Sequence, residues 1–241
     1  MSFSQIIVDL GRPANGGESY ALQRRRGRRW KSGVDCGRGV LPFTNCGRDG
    51  SLRPSQEVEA VDVHECIRER RSVRKYESDP VPEEALTRVL EAVQWAPSWV
   101  NFQPWEVVIV DDPEVKERLQ GCVPEGNPGR KAVTAAPIIL AVCGRKGISG
   151  YYQGTPSTPH GDWVMFDLGI ACQNLCLAAH AEGLGTLHLG LLDQKRAAEV
   201  LGLPDGVELF ELIPLGVPAK RGRAPKRKAI EEFTHRNRFG A

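Results

Sequence analysis

Asp162-Trp163-Val164-Met165-Phe166-Asp167-Leu168-Gly169-Ile170-Ala171-Cys172-Gln173-Asn174-Leu175-Cys176-Leu177-Ala178-Ala179-His180-Ala181-Glu182, followed by Gly183-Leu184-Gly185-Thr186, decides the architecture. As a helix this stretch is about 30 Å long. Val164, Met165, Leu168, Ile170, Ala171, Leu175, Leu177 and Ala178 run nearly all the way round it, which predicts burial at a core centre or in a subunit interface. The glycines end the helix and lead into Thr186-Leu187-His188-Leu189-Gly190. Working outward, Pro82-Glu83-Glu84 starts a helix whose buried face is Leu86, Val89, Leu90 and Val93. Val63, Cys66 and Ile67 form a shorter stripe on a helix that ends in arginines. Asp112 caps a helix beginning at Pro113 and closed by Gly121, and another runs over 193–201. Residues 106–110, 138–143 and 207–215 read as strands. Strands that are few and irregularly interspersed with helices favour α+β over a doubly wound sheet.

The chain has 241 residues and a formal net charge of +2, too small to make nucleic acid the main partner. No run approaches the roughly 20 apolar residues that span a bilayer, and residues 1–10 make a poor signal peptide. No CxxC spacing occurs among Cys36, Cys46, Cys66, Cys122, Cys143, Cys172 and Cys176. A disulfide framework or thiolate metal site is not expected, and a reducing cytoplasm fits better. Residues 1–58 contain Gly16-Gly17 and the basic cluster Arg24-Arg25-Arg26-Gly27-Arg28-Arg29, with no sustained period. They read as a disordered or non-native extension, and 59–241 as the folded domain.

Two segments carry chemistry. Arg70-Arg71-Ser72-Val73-Arg74 gathers three guanidiniums and a hydroxyl at a helix end. Guanidinium forks suit a phosphate dianion, although cations at a helix C-terminus are favourable by themselves. Ala96-Pro97-Ser98-Trp99-Val100-Asn101-Phe102-Gln103-Pro104-Trp105 alternates side-chain donors with bulky apolar groups between two prolines. It offers edge donors and an apolar face to a flat heterocycle, or else satisfies its own backbone. The pair points to a phosphorylated, ring-bearing cofactor.

The chain resembles the FMN-dependent nitroreductases. The resemblance rests on those two segments, on Gly183-Leu184-Gly185-Thr186, and on Pro214-Leu215-Gly216-Val217-Pro218 followed by Lys226-Arg227-Lys228, in order across about residues 61–233. It implies an α+β fold with a central, mostly antiparallel sheet flanked by helices, in an intertwined homodimer with two FMN sites at the interface. Arg70, Arg71, Ser72 and Arg74 would form the first FMN-binding segment. Pro97, Ser98, Trp99 and Asn101 would come from the partner subunit. Thr186, Leu187, His188, Leu189 and Gly190 would lie beside the ring near N5, and Arg227 would hold the phosphate. Asn127, with Arg130 or Lys131, occupies a position where the family adds a ring contact. A fixed cation such as Arg74 near the N1 edge would favour the negatively charged reduced ring.

The expected activity is hydride transfer from NADH or NADPH through flavin N5 to a small electron-poor acceptor, a nitroaromatic or quinone, in a ping-pong cycle. No protein nucleophile and no metal is required, and neither nucleic acid nor membrane is an expected partner. Alternatives are a reductive dehalogenase, since the arginine and Lys-Arg-Lys segments look similar to a branch acting on iodinated tyrosines, another small-molecule flavoenzyme of the same fold, and a flavin-binding protein without turnover. His188 is read either as a donor to substrate or flavin or as a satisfied structural histidine. The loop from Gly150 to Asp162, with Tyr151, Tyr152 and His160, is read as a substrate lid or a surface connection. Cys172 and Cys176 are read as small core hydrophobes.

Overall fold

The computed structural model describes residues 62–240. The expectation for residues 1–58 lies outside them. The elements, in order, are α1 (Val63–Glu69), α2 (Glu83–Gln94), β1 (Trp105–Val110), α3 (Pro113–Gln120), α4 (Ala132–Ala135), β2 (Ile138–Arg145), β3 (Tyr151–Tyr152), β4 (Thr155–Pro156), α5 (Val164–Ala181), β5 (Gly185–Thr186), α6 (Gln194–Leu201) and β6 (Val207–Gly216). Short 3-10 turns occupy Trp99–Asn101 and Ile230–Glu232.

The β2 sequence explains the layering. Successive strand residues face opposite sides. Ile138, Leu140 and Val142 enter one core, with α2 and α5. Ile139, Ala141 and Cys143 enter a second, with α3, α4 and α6. A strand covered on both faces needs a continuous apolar run, which is what 138–143 supplies. The four-stranded sheet has the order β1-β2-β6-β5 and every named pairing is antiparallel. Opposite β6 the register slips between Val142 and Cys143, bulging the strand at Phe210. The α+β expectation, with a mainly antiparallel sheet between helices, holds.

Local signals account for the helix ends. The Asp112 carboxylate accepts from the Glu114 and Val115 amides at 2.8 and 3.0 Å, with Pro113 at the first helical position. Asp62 caps α1 in the same way, accepting from His64 and Glu65. Pro82 is the residue before α2 rather than its first turn. Two expectations change. Val63 and Ile67 are exposed and only Cys66 of the α1 stripe is buried, because seven residues turn one position inward. α5 is not enclosed all round: Leu168, Ala171, Cys172, Leu175, Cys176 and Ala179 are buried, while Met165 and Phe166 are 69% and 60% exposed. By length and composition α5 alone, among the described residues, is long and apolar enough to cross a membrane. Here its inner face packs on α2 and the sheet.

One contact brings the arginine segment to the sheet. Ser72 bridges Thr186 in parallel and the Val73 amide donates to the Thr186 carbonyl at 2.8 Å, extending the sheet beyond β5. A Cβ on Gly185 would lie 2.6 Å from Val73 Cγ2 and 2.9 Å from its Cβ. Gly185 is therefore required by close approach, and the stiff valine cannot swing aside. Gly185→Ala is expected to cost about 1–3 kcal/mol in urea unfolding by overpacking this contact. A loss within experimental error would contradict the tight docking of residues 72–74.

Candidate functional site

Two polar constellations form at opposite ends of α5. At its C-terminal end, α1 stops at Glu69 and the chain becomes extended at Arg70. The Arg71 guanidinium folds back and donates to the Arg68 carbonyl and, at 2.8 Å, to that of Arg70, with Glu69 at 3.8 Å. Arg71 thereby closes the helix it follows. Arg70, Arg71, Val73, Gly185 and Thr186 line a notch together with His180, Arg221 and Pro218. Burial, with the Arg221, Arg70 and Arg71 guanidiniums, pushes His180 below its ordinary value against a smaller opposite pull from Glu69. Positive charge therefore exceeds its local partners here, as an anion site requires. Ser72 is half-buried on this segment and Arg74 is exposed.

The sequence reading did not include Arg221 or His180. Arg221 stands in the basic run after β6, and His180 in the last turn of α5, where a cation is ordinarily just a favourable helix end. Arg227 lies farther along an exposed tail, its Nη1 donating to the Pro225 carbonyl at 3.4 Å.

At the N-terminal end of α5 sits the second segment. Ser98 Oγ accepts the Gln103 amide at 2.9 Å, which closes the turn on itself. The Trp99 amide donates to the buried Asp167 carboxylate, 3.2 Å from each oxygen. The Trp99 ring lies 5.1 Å from that of Trp163. Pro97 and Asn101 are exposed. Asp167 and His180 are separated by about 20 Å along α5. One chain thus keeps the Pro97–Asn101 group apart from the Arg70–Arg74 group.

The strand after β5 divides its duties. Thr186, Leu187 and Leu189 are 2–4% exposed. The side chains of Leu187 and Leu189 pack in the second core, against Gly129, so these residues can present only backbone outward. His188 and Gly190 are exposed. The Leu189–Leu212 bridge brings His188 diagonally beside Glu211. His188 Nδ1 lies 3.0 Å from both Glu211 oxygens and Nε2 lies 3.4 Å from Cys176 Sγ. The Cys176 sulfur and the Glu211 carboxylate outweigh burial and push His188 up to about 10. Cys172 is pushed up in turn by burial and by Glu211, so it stays a thiol. All cysteines among the described residues are free and buried. Asn127 is occupied locally: Oδ1 accepts from the Gly129 amide at 2.8 Å and Nδ2 donates to the Leu191 carbonyl at 3.4 Å. Arg130 Nε likewise donates to the Val123 carbonyl.

Comparison with known proteins places this geometry. The nitroreductase family model matches residues 67–135 and 124–217, more than half of the chain. The chain belongs to the nitroreductase family. A Methanothermobacter thermautotrophicus member, provisionally named an NADH dehydrogenase/NAD(P)H nitroreductase, is 36% identical over 168 residues, covering 68% of this chain and 81% of the relative. Rat iodotyrosine deiodinase 1 is 27% identical over 207 residues, covering 75% and 72%. A solved Desulfovibrio desulfuricans structure, provisionally a nitroreductase and in complex with FMN, superposes with TM-score 0.58 at 30% identity, over 73% of this chain and 96% of that one.

The His188–Glu211 pair in this nitroreductase has a pH signature. A histidine raised above its unfolded value of about 6.5 contributes stability that is full below that value and lost as pH rises towards about 10. Glu211→Gln is expected to lower the His188 titration, followed by NMR, since it removes one of the two partners, Cys176 and Glu211, that raise it. The stability gap between wild type and variant should be widest near pH 6 and narrow steadily up to pH 10. A His188 titration unmoved by the substitution would contradict the pairing.

Proposed function

We propose that this nitroreductase-family protein is an FMN-dependent NAD(P)H oxidoreductase, with residues 59–241 as its working unit. When bound, FMN supplies the N5 atom through which a hydride passes from the nicotinamide to an electron-poor acceptor of nitroaromatic or quinone type. The observation that carries the reading is the cationic notch. Arg70 and Arg221 beside His180 would pair with a phosphate at the mouth of this notch, whose charge would offset the guanidiniums that, together with burial, disfavour a proton on His180. Ser72 and Arg74 continue from that notch along the same extended segment and would hold the ribityl chain and the N1 edge. Arg227 would close on the phosphate from the exposed basic run of the tail.

The roles of residues 186–190 follow from burial. With the Thr186, Leu187 and Leu189 side chains turned inward, this strand would meet the ring through backbone amides, and through Gly190, where no Cβ stands in the way. His188, with Nε2 on Cys176 and Nδ1 on Glu211, would brace this strand rather than donate to the acceptor. Asn127 would shape the pocket through its backbone turn rather than its amide.

Homodimerisation is part of the proposal. The notch and the turn stand about 20 Å apart along α5. From its first turn onward α5 exposes Met165, Phe166, Gly169 and Gln173, with Ile170 half-buried beside them. Two such faces packed antiparallel across a two-fold axis would set the Ser98–Asn101 turn of each chain against the notch of the other. Pro97, Ser98, Trp99 and Asn101 would then serve the partner's flavin. Similarity to the rat deiodinase supports a second reading, reductive dehalogenation at the same site.

Purified protein is expected to be yellow and to bleach under anaerobic NADH or NADPH, then to reoxidise with a nitroaromatic. A protein that binds FMN but is never reduced by either nicotinamide would instead be a carrier. Arg70→Ala and Arg221→Ala should each weaken FMN retention by about 1–3 kcal/mol, read by equilibrium dialysis. Undiminished affinity in both variants would contradict the phosphate assignment.

A further inference from the structure

The turn that follows α2 is held in an unfavourable backbone conformation. Val100, Asn101 and Gln103 have φ of 48°, 59° and 51°. For the β-branched valine this is a genuine outlier, and such residues persist only where their surroundings over-determine them. Internal bonds from Gln103 N–H to Ser98 Oγ and from Phe102 N–H to the Trp99 carbonyl close the turn but do not attach it to the body. The attachment is Asp167, whose carboxylate is 2% exposed and receives the Trp99 amide on both oxygens.

The same carboxylate holds a second segment. Ser149, fully buried, donates its hydroxyl to Asp167 Oδ2 at 2.5 Å. Its carbonyl accepts the Trp163 amide at 3.0 Å. Asp162 closes the base of this loop, accepting Gly147 N–H at 2.8 Å and Val164 N–H at 2.9 Å. Trp163 covers the junction, its ring tilted 45° against that of Trp99 and its Nε1 donating to Thr158 Oγ1 at 2.8 Å. The base of the candidate lid over 150–162, at Ser149 and Trp163, and the turn over 98–103, distant in sequence, therefore meet at one buried group. Packing alone would be served more cheaply by an apolar residue, because a buried carboxylate is costly unless fully bonded. Its two donors, the Trp99 amide and the Ser149 hydroxyl, come one from each of these segments.

We propose that Asp167 is a positioning residue that fixes the Ser98–Gln103 turn and the Gly147–Trp163 loop in one shared geometry. Its functional consequence rests on the FMN reading above: the turn presents its donors to the flavin edge, and the loop sets the wall seen by the electron acceptor. Asp167 touches neither, and acts through Trp99 and Ser149.

The test uses the full chain in four forms: wild type, Asp167→Asn, Ser149→Ala, and Asp167→Asn combined with Val100→Gly. Amide hydrogen exchange, which needs no flavin, is read first. Asp167→Asn should accelerate exchange at Trp99 and Gln103 and across residues 147–163 at least tenfold. Ser149→Ala should accelerate only the loop. In holoenzyme kinetics, Ser149→Ala should raise the acceptor KM severalfold with FMN affinity unchanged, whereas Asp167→Asn should also weaken FMN binding at least fivefold. Val100→Gly, which lets glycine take the positive φ without strain, should return the double variant's FMN affinity to within twofold of wild type. Unchanged exchange at Trp99 in Asp167→Asn, or no recovery on adding Val100→Gly, would overturn the proposal. If the wild type itself takes up no FMN, the cofactor reading fails, and the exchange data alone decide whether Asp167 positions the two segments.

Discussion

The structure depends on one close approach. Residues 72–76 can lie against β5 and the end of β6 only because Gly185 and Gly216 carry no side chain. A Cβ at Gly185 would meet Val73 Cγ2 at 2.6 Å, and one at Gly216 would meet Tyr76 Cδ1 at 3.2 Å as well as Pro137 Cδ at 2.5 Å. The Val73 amide then pairs with Thr186, the Glu77 amide with Val217, and the Ala219 amide with Lys75. Tyr76 completes the seam from within: its hydroxyl lies 2.9 Å from the Val73 carbonyl and 3.1 Å from that of Pro214. Burial drives that phenol well above its ordinary range, so it remains a neutral donor. This seam sets Arg70 beside His180 and brings Arg221 to them from far along the chain.

α5 acts as the spacer between this seam and the rest of the candidate site. His180 in its last turn borders the cationic notch, and its first turn carries Asp167, which accepts the Trp99 amide of the strained turn. The face it leaves open carries Met165, Phe166 and the half-buried Ile170 together with Gln173 and Asn174. A single chain holding two complementary halves at a fixed separation, with an uncovered stripe joining them, gives a physical reason for a two-fold assembly. The family resemblance had suggested the same arrangement on other grounds.

Much of the frame was legible because its causes are local. Asp112-Pro113 with Gly121 bounds α3, and the uninterrupted run 138–143 marks a strand covered on both faces. Side-chain roles were less legible where long-range contacts decide them. Arg71, Ser98 and Asn127 look like ligand donors in sequence, yet each satisfies neighbouring backbone. Leu187 and Leu189 sit in a segment assigned to the ring but face the core over Gly129, a partner far away in the chain. Arg221 and His180 gave only the signals of a basic tail and a helix end. Asp167 gave none, since its partners Trp99 and Ser149 are 68 and 18 residues distant. The α1 stripe misled because its apolar positions are shared between a short helix and a surface the single chain leaves open.

The central claim is that two copies of this chain enclose flavin between the arginine notch of one and the turn of the other. Sedimentation velocity monitored at both 280 nm and the flavin band tests it most directly, because it reports assembly and flavin stoichiometry together. The account predicts a single boundary at dimer mass carrying one FMN per chain. Flavin that travels with a monomer, or a dimer that remains colourless with FMN in excess, would contradict it.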